Sequence, residues 1–135
     1  MQFSKMSTIL VVQDVSQSAR FYADLLGFEV AFDIGWIATM RHASGSTIDL
    51  WQRSHESVPP HLQQNGGGPV LAFVGGDAKS ELARVLEAGA EVTKPLVDNP
   101  WGQRNFMFQD PDGTTIDIVE LIAPDPAFLR EHGLG

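Results

Sequence analysis

Cysteine is absent from the sequence, and basic residues are scarce. Nine lysine and arginine residues stand against 17 aspartate and glutamate residues, which gives a formal net charge of −8. Without cysteine the chain can form no disulfide, no thiolate zinc site and no cysteine nucleophile, a pattern that fits a cytoplasmic protein. The low basic content also leaves no footprint for nucleic acid. We therefore expect a cytoplasmic protein with no nucleic-acid partner.

Long hydrophobic runs are missing as well. No stretch approaches the roughly 18 consecutive apolar residues of a membrane-spanning helix, and residues 1–5 lack the basic and apolar regions of a signal peptide. We expect no membrane partner. The 135 residues, 43% of them hydrophobic, suffice for one domain with a real core. The acidic charge would attract cations at long range, although net charge also serves solubility alone.

The chain contains an internal duplication. Residues 9–30 and residues 71–92 each read as an apolar run, an aspartate, a helix, a glycine and the start of a strand. Farther along, residues 45–50 match residues 113–118, with Gly-Ser-Thr-Ile-Asp-Leu against Gly-Thr-Thr-Ile-Asp-Ile. Several matches in one order indicate a repeat rather than chance. The second copy carries a few extra residues around 95–102.

Each copy is predicted to form a βαβββ module. Helices are expected at about 16–26 and 78–88, where apolar residues recur at helical spacing and a glycine follows the last turn. Leu82, Val85 and Leu86 should form the buried stripe of the second helix. Strands are expected near 7–13, 28–33, 36–41, 46–52, 69–75, 90–94, 103–109 and 114–121. The predicted fold class is α+β, with tandem βαβββ modules forming a curved mixed sheet around a concave pocket.

The whole chain, residues 1–135, is predicted to be a single domain. Repeat one covers about 6–52 and repeat two about 69–122. The linker between them, 53–68, contains Pro59-Pro60 and Gly66-Gly67-Gly68. The tail, 123–135, should add a short helix capped by Asp125.

Side chains alternate between the two faces of a strand, and this parity predicts the pocket. The aliphatic residues that must pack under the helices are Ile48, Leu50, Ile116 and Ile118. Asp49 and Asp117 then lie on the opposite face. If the turn at 110–113 places Gln109 opposite Thr114, Phe106 lies opposite Asp117, and the repeat places Ala38 opposite Asp49. The predicted pocket residues are Trp36, Met40, Asp49, Trp51, Arg104, Phe106, Phe108 and Asp117.

The predicted pocket combines aromatic rings with carboxylates. Aromatic faces beside carboxylates favour a flat or cationic ligand. Arg104 determines the net charge of the pocket, because an Arg104 that pairs with either aspartate would leave the pocket nearly neutral. Trp101 precedes the seventh strand, where it would either cap the pocket or anchor its own loop.

Two motifs resemble a known superfamily. The first repeat reads Val-x-Asp-x-x-x-Ser-x-x-Phe-Tyr-x-x-x-Leu-Gly-Phe from Val12 to Phe28, and the second reads Asp-Pro-Asp-Gly from Asp110 to Gly113. In a tandem βαβββ chain these motifs resemble the vicinal oxygen chelate superfamily, which includes glyoxalase I, extradiol dioxygenases, fosfomycin-modifying enzymes and bleomycin resistance proteins. The resemblance covers about residues 6–122. It implies the fold rather than one activity, because one fold serves several chemistries.

The resemblance also implies where a metal would bind. Enzymes of this superfamily place ligands at four equivalent strand positions, typically His or Gln, Glu, His and Glu. The matching positions here are Ser7, Asp49, Val70 and Asp117. Two of them keep a carboxylate, whereas a transition metal needs three or four protein ligands, usually with imidazole. None of the four histidines matches a ligand position, so we expect no cofactor, with a divalent metal as the alternative.

Two functions remain open, together with a less specific third. The first is a metal-independent protein resembling bleomycin resistance proteins, which sequesters an aromatic or cationic compound such as an antibiotic. The alternative is a glyoxalase-like metal-dependent lyase or isomerase, or a dioxygenase, with Asp49 and Asp117 as weak candidate ligands, helped by water or by the linker histidines His55 and His61. The third is a metal-free catalyst that uses either aspartate as a base. The resemblance also implies a homodimer as the self-partner.

Overall fold

The computed structural model describes residues 1–2, 7–58, 60–63 and 69–134. The chain divides into two compact units, Met1–Gly66 and Gly67–Gly135. The boundary falls inside the predicted linker, of which Pro59 and the three consecutive glycines lie outside the described residues. That the two units form one domain stays a prediction.

The first unit holds a four-stranded mixed sheet and one long helix. Its strand order is β1-β4-β3-β2, with β1 parallel to β4 and the remaining pairs antiparallel. A short 3₁₀ turn, Pro60–Leu62, follows the sheet. The elements are β1 (Thr8–Val12), α1 (Val15–Leu26), β2 (Glu29–Asp33), β3 (Ile37–Arg41) and β4 (Thr47–Gln52).

The second unit repeats this arrangement. Its strand order is β5-β8-β7-β6, again with one parallel and two antiparallel pairs. The elements are β5 (Leu71–Val74), α2 (Ala78–Glu87), β6 (Val92–Asn99), β7 (Gln103–Gln109), β8 (Thr115–Leu121) and α3 (Pro126–Glu131). The α+β fold class and the duplicated βαβββ order are confirmed. The extra residues of the second copy extend β6, which runs farther than the sequence predicts and is bulged.

An aspartate precedes and caps each of the three α-helices in the described part of the chain. Asp14, Asp77 and Asp125 each accept a hydrogen bond from a backbone N–H in the first helical turn, which satisfies a donor that the helix itself leaves unpaired. The predicted tail helix and its Asp125 cap are therefore confirmed. In the described residues, no helix is long and apolar enough to cross a membrane.

Each of the long helices packs against one face of its own sheet. Tyr22 of α1 and Val85 of α2 are fully buried. Leu86 was also predicted to be buried, and this prediction is wrong, because its side chain is 54% exposed. Ala78 and Val85 stand seven residues apart and mark the buried line of α2, whereas Leu86 is turned about 100° away from Val85.

The loops between the last two strands of each unit set the strand register. The backbone N–H of Asp110 donates to the carbonyl of Thr114 at 2.9 Å, and that of Gly113 donates to Asp110 at 3.1 Å. Gly113 has a φ of 84°, so the loop is a turn followed by a left-handed residue, a common three-residue hairpin connection. The first unit has the same loop between His42 and Ser46.

This three-residue loop shifts the predicted pairing by one residue. Gln109 lies opposite Thr115 rather than Thr114, so Phe106 lies opposite Ile118 rather than Asp117. In the first unit, Asp49 lies opposite Thr39 instead of Ala38. The four aliphatic residues of β4 and β8 are buried as predicted. Their neighbours on the same face are different from those predicted.

Candidate functional site

The carboxylate of Asp49 lies on the helix-free face of the first sheet. Asp49 is in the middle of β4, between Ile9 of β1 and Thr39 of β3. The Thr39 hydroxyl donates a hydrogen bond of 2.5 Å to Oδ1 of Asp49. Within the described residues, Asp49 has no ion pair with a basic side chain. A half-buried carboxylate with one neutral donor is able to accept further hydrogen bonds.

Apolar side chains surround Asp49. Ile9 is 43% exposed on one side, and Phe32, which pairs with Thr39 across β2 and β3, is 51% exposed on the other. Trp51 follows two residues after Asp49 on the same face and is half-buried. A carboxylate among exposed apolar groups has the composition of a small-molecule site, which is mostly apolar with a few polar groups.

Three aromatic rings meet at the end of this strand pair. The indoles of Trp36 and Trp51 contact edge to face with centroids 6.1 Å apart. The imidazole of His55 stacks on Trp36 at 3.8 Å with an interplanar angle of 4°. Nδ1 of His55 accepts the backbone N–H of Ser57 at 3.1 Å. The sequence predicted that the two tryptophans would come together, whereas it placed His55 in the linker, either solvated or turned toward a metal.

The carboxylate of Asp117 has a different environment in the second unit. Oδ1 accepts a hydrogen bond of 2.9 Å from Nδ2 of Asn105, which is buried. The Asn105 carbonyl in turn accepts Lys94 Nζ at 2.9 Å and Asn99 Nδ2 at 2.8 Å. An ammonium group therefore reaches Asp117 through one amide, and its charge partly offsets that of the carboxylate.

Met40, Phe106 and Phe108 do not share a face with the two aspartates, so that part of the prediction is corrected. Met40 lies opposite Ile48, and the two phenylalanines lie opposite Ile118 and Ile116. All three are fully buried. Because the hairpin loops have three residues, these side chains lie on the face that the helices cover and belong to the core.

Arg104 also lies on the helix side and pairs with neither predicted aspartate. Its Nε and Nη2 donate to the two carboxylate oxygens of Asp98 at 2.6 and 3.0 Å. Nη1 is 3.6 Å from Glu120, which accepts the backbone N–H of Ala78 at the start of α2. The hydrogen bond from Arg104 lowers the pKa of Asp98, and Asp98 in turn raises the pKa of Arg104. This group of charges fixes the start of α2.

Trp101 contacts its own surroundings in the second unit. Its indole N–H donates to Oε1 of Gln103 at 3.1 Å, and its ring lies 6.1 Å from that of Phe128 in α3. The side chain remains 52% exposed. These contacts favour the role of a loop anchor, and a role in capping a pocket stays a prediction.

The donors at the four implied metal positions fit a transition metal poorly. Val70 has no donor atom, and Ser7 offers only a hydroxyl. Asp49 and Asp117 each already accept a side-chain hydrogen bond. Across the part of the chain that the structure describes, no three His, Asp or Glu residues are grouped so that they could hold a metal ion.

Thr39, Asn105 and Lys94 were missed by the sequence reasoning. The signal for the first two is parity: a hairpin loop of three residues places Thr39 beside Asp49 and puts Asn105 on the face of Asp117. The glycine that ends each loop, Gly45 or Gly113, is the residue in the sequence that indicates a three-residue loop. Lys94 is brought to Asn105 by the bulged pairing of β6 with β7, and the sequence gives no signal for a bulge there.

Known proteins resemble this chain in sequence and structure. Residues 6–118 match the Glyoxalase/Bleomycin resistance protein/Dioxygenase superfamily. The protein named virulence protein STM3117, from Salmonella typhimurium strain LT2, is 28% identical over 84% of this chain and 81% of its own length. A superfamily member from Sphaerobacter thermophilus has a TM-score of 0.72 at 27% identity, covering 88% of this chain and 98% of that chain. A glyoxalase/bleomycin resistance protein/dioxygenase from Nocardioides has a TM-score of 0.74 at 22% identity over 93% of this chain and 89% of that chain, a similarity of fold alone.

Proposed function

The chain belongs to the Glyoxalase/Bleomycin resistance protein/Dioxygenase superfamily, and from this premise we propose that it binds a small organic molecule without a transition metal. The ligand is a flat aromatic compound with a cationic group. Binding is stoichiometric and sequesters the compound, in the manner of the bleomycin resistance proteins, and an antibiotic of this chemistry is the natural candidate. The proposed site is the helix-free face of the first sheet.

The observation that carries this proposal is the carboxylate of Asp49 among apolar and aromatic side chains. Its described partner is a neutral hydroxyl, so its charge is not neutralised by a basic residue within the described part of the chain. A carboxylate beside Trp51 favours a ligand that presents both a positive charge and a flat apolar surface. The formal net charge of −8 adds long-range attraction for a cation.

A glyoxalase-like metal-dependent lyase or isomerase, or a dioxygenase, is the second candidate. It is favoured by one observation, that two of the four implied ligand positions, Asp49 and Asp117, keep a carboxylate. Against it stand Val70, which cannot bind a metal, and the ammonium group of Lys94 close to Asp117. A divalent cation held by the remaining donors would be mostly hydrated and weakly bound.

Tryptophan fluorescence tests the binding proposal. N-methylquinolinium is the probe, and quinoline, which lacks the fixed charge, is its matched neutral control. We expect the cation to quench fluorescence saturably and to bind more tightly than quinoline. The change Trp51→Ala should weaken cation binding by about 1–3 kcal/mol, the scale of one lost buried aromatic contact. Leu121→Ala, which truncates an exposed apolar side chain of the second unit, is the control and should leave affinity unchanged.

Two results would overturn the proposal. One is elemental analysis of gently purified protein that finds close to one Zn, Ni, Mn or Fe per chain, which would favour the enzyme. The other is equal loss of affinity in the Trp51→Ala and Leu121→Ala variants, which would remove the ligand from the Asp49 face.

A further inference from the structure

A cavity of about 380 Å³ opens in the first unit, beyond the carboxyl ends of β1 and β4. Its lining comes from Gln13 after β1, Arg53 and Ser54 after β4, and Gln63 after the 3₁₀ turn. Three of these residues are exposed and Arg53 is half-buried. The volume lies in the range of roughly 300–1,000 Å³ that is common for sites of small ligands.

The walls of this cavity are held in place by several contacts. The backbone N–H of Arg53 donates to Val12 at 2.8 Å, and Nη2 of Arg53 donates to the carbonyl of Val11 at 3.3 Å. On the opposite wall, Nε2 of Gln63 donates to the carbonyl of Val58, which is fully buried. Gln52 donates to the carbonyl of Gln13. These contacts hold the side chains of Arg53 and Gln63 in place, which reduces the entropic cost of binding.

The chemistry of the lining suits an anion. The described lining residues supply a guanidinium, a hydroxyl and two amides, and they include no carboxylate. Asp14, which follows Gln13, is engaged as the cap of α1 and accepts the N–H of Gln17 at 3.1 Å. A guanidinium recognises the planar pair of carboxylate oxygens through two parallel N–H donors. Amide and hydroxyl donors can complete the coordination of the same group.

The internal duplication shows that the fold does not require this lining. By the repeat, Gln13 corresponds to Gly76, which precedes the Asp77 cap, and Arg53 corresponds to Leu121. Leu121 is 67% exposed. It is the last residue of β8, whereas Arg53 comes directly after the last residue of β4. The second unit thus forms the same strands and helix with a glycine and a leucine at these positions. At these two positions the fold does not need a polar side chain, which favours binding over folding as the role of Gln13 and Arg53.

We propose that this cavity binds a small molecule through an oxyanion group, a carboxylate in the first place, with Arg53 as the principal contact. Gln13, Ser54 and Gln63 orient the rest of the ligand. Binding here requires neither Asp49 nor Trp51, and the ligand has the opposite charge to the one proposed for the Asp49 face. An acidic chain that presents one guanidinium in a cavity offers anions a specific site despite its overall repulsion.

Titration of the ¹⁵N-labelled full chain with succinate tests this site. Succinamide is the uncharged probe of the same shape, and inorganic phosphate is the second oxyanion. We expect succinate to produce saturable shifts in the amide signals of Arg53 and Ser54, succinamide to produce none, and phosphate to bind more weakly. Arg53→Leu, which installs the residue of the second module, should weaken succinate binding at least about tenfold. Arg20→Leu, an exposed arginine of α1, is the matched control and should bind succinate like the unmodified chain.

Each remaining outcome has a definite meaning. If Arg53→Leu disturbs the spectrum as a whole, Arg53→Lys keeps the positive charge without the paired donors and should still weaken succinate binding. Phosphate that binds more tightly than succinate would overturn the preference for a carboxylate. Shifts that are not saturable, or that are equal in the Arg53→Leu and Arg20→Leu variants, would overturn the site. Because the probe and the readout differ from those for the Asp49 face, failure here leaves the fluorescence result unaffected.

Discussion

Two aspartates at equivalent positions of the repeat differ in their electrostatic surroundings. Asp49 accepts a hydrogen bond from the neutral hydroxyl of Thr39, whereas Asp117 accepts one from an amide that also binds an ammonium group. A carboxylate whose charge is not offset attracts a cation more strongly than one that already has a positive neighbour. The duplicated sequence therefore places its two carboxylates in different electrostatic surroundings.

We expect Asp49→Asn to weaken N-methylquinolinium binding by about 1–2 kcal/mol, the scale of a partly screened charge interaction. Asp117→Asn removes a carboxylate of similar exposure and is the matched comparison, and its effect should be smaller. Fluorescence titration of both variants measures the difference. An equal or larger loss in Asp117→Asn would show that the two carboxylates do not differ in the way their neighbours indicate.

The ion pair of Arg104 with Asp98 makes stability depend on pH. Because the hydrogen bond from Arg104 lowers the pKa of folded Asp98, the stabilisation is complete above the unfolded pKa of about 4 and is lost as the pH falls through the lower folded value. Asp98→Asn should therefore lower the urea midpoint at neutral pH, and the difference should shrink below about pH 4. The effect should be small, since Asp98 is exposed.

Asp24→Asn provides the control for that measurement. Asp24 is exposed on α1 and has no described ion pair. Its substitution should leave the urea midpoint nearly unchanged at both pH values. A deficit in Asp98→Asn that stays constant from neutral to acidic pH would contradict a role for the ion pair.

At the scale of elements, one side chain from the last strand of each sheet fixes the start of the helix above it. Oε1 of Gln52 accepts the backbone N–H of Val15 at 3.1 Å, and Oε2 of Glu120 accepts that of Ala78 at 2.9 Å. Gln52 also donates to the carbonyl of Gln13. The two hydrogen bonds occupy equivalent positions in the repeat, so both βαβββ modules join the start of the helix to the sheet in the same way.

Gln52→Ala should destabilise the chain by about 1–2 kcal/mol, because it removes one partly buried and one exposed hydrogen bond. Gln52→Glu keeps the acceptor for Val15, as Glu120 does for Ala78, but loses the donor to Gln13. Its stability should lie between that of the unmodified chain and that of Gln52→Ala. Gln17→Ala, at an exposed position of α1, is the control and should change stability by less than about 0.5 kcal/mol. Urea unfolding measures the stability of all three variants. A Gln52→Ala variant as stable as Gln17→Ala would show that the Gln52 side chain does not stabilise the start of α1.

The sequence predicts the positions of helices and strands better than it predicts which side chains of each strand face the helices. The helices, the Asp125 cap and the βαβββ order of elements along the chain follow from apolar periodicity and from the duplication, and these are confirmed. The register was wrong by one residue because the loop was counted as a tight two-residue connection, whereas Gly45 and Gly113 adopt positive φ and end a three-residue loop. Since side chains alternate with period two, one residue moves Met40, Phe106 and Phe108 from the predicted pocket into the core.

The parts of the site that sequence could not predict depend on contacts between distant residues. His55 stacks on Trp36 only because the loop after β4 folds back, and nothing in the local composition specifies that path. Lys94 reaches Asn105 across a bulged strand pair. Arg53 follows β4 and belongs to no motif, so neither strand parity nor the superfamily resemblance points to it.

At the scale of the whole molecule, each four-stranded sheet has two edge strands, β1 and β2 in one and β5 and β6 in the other. The β2 edge is the most apolar of them, with Val30, Phe32 and Ile34 each about half exposed. Exposed apolar edge strands invite pairing with another chain. A homodimer, which the superfamily membership also suggests, would cover such an edge.

We expect light scattering to give twice the chain mass of 14.7 kDa and to keep that value on dilution into the low micromolar range. Val30→Lys places a charge on the β2 edge and should shift the equilibrium toward the monomer, because burying an unpaired ammonium group is costly. Val74→Lys makes the same change on the β5 edge, where the valine is 59% exposed, and should leave the dimer intact. The reverse result would assign the interface to the second sheet, and a monomer at every concentration would refute the dimer.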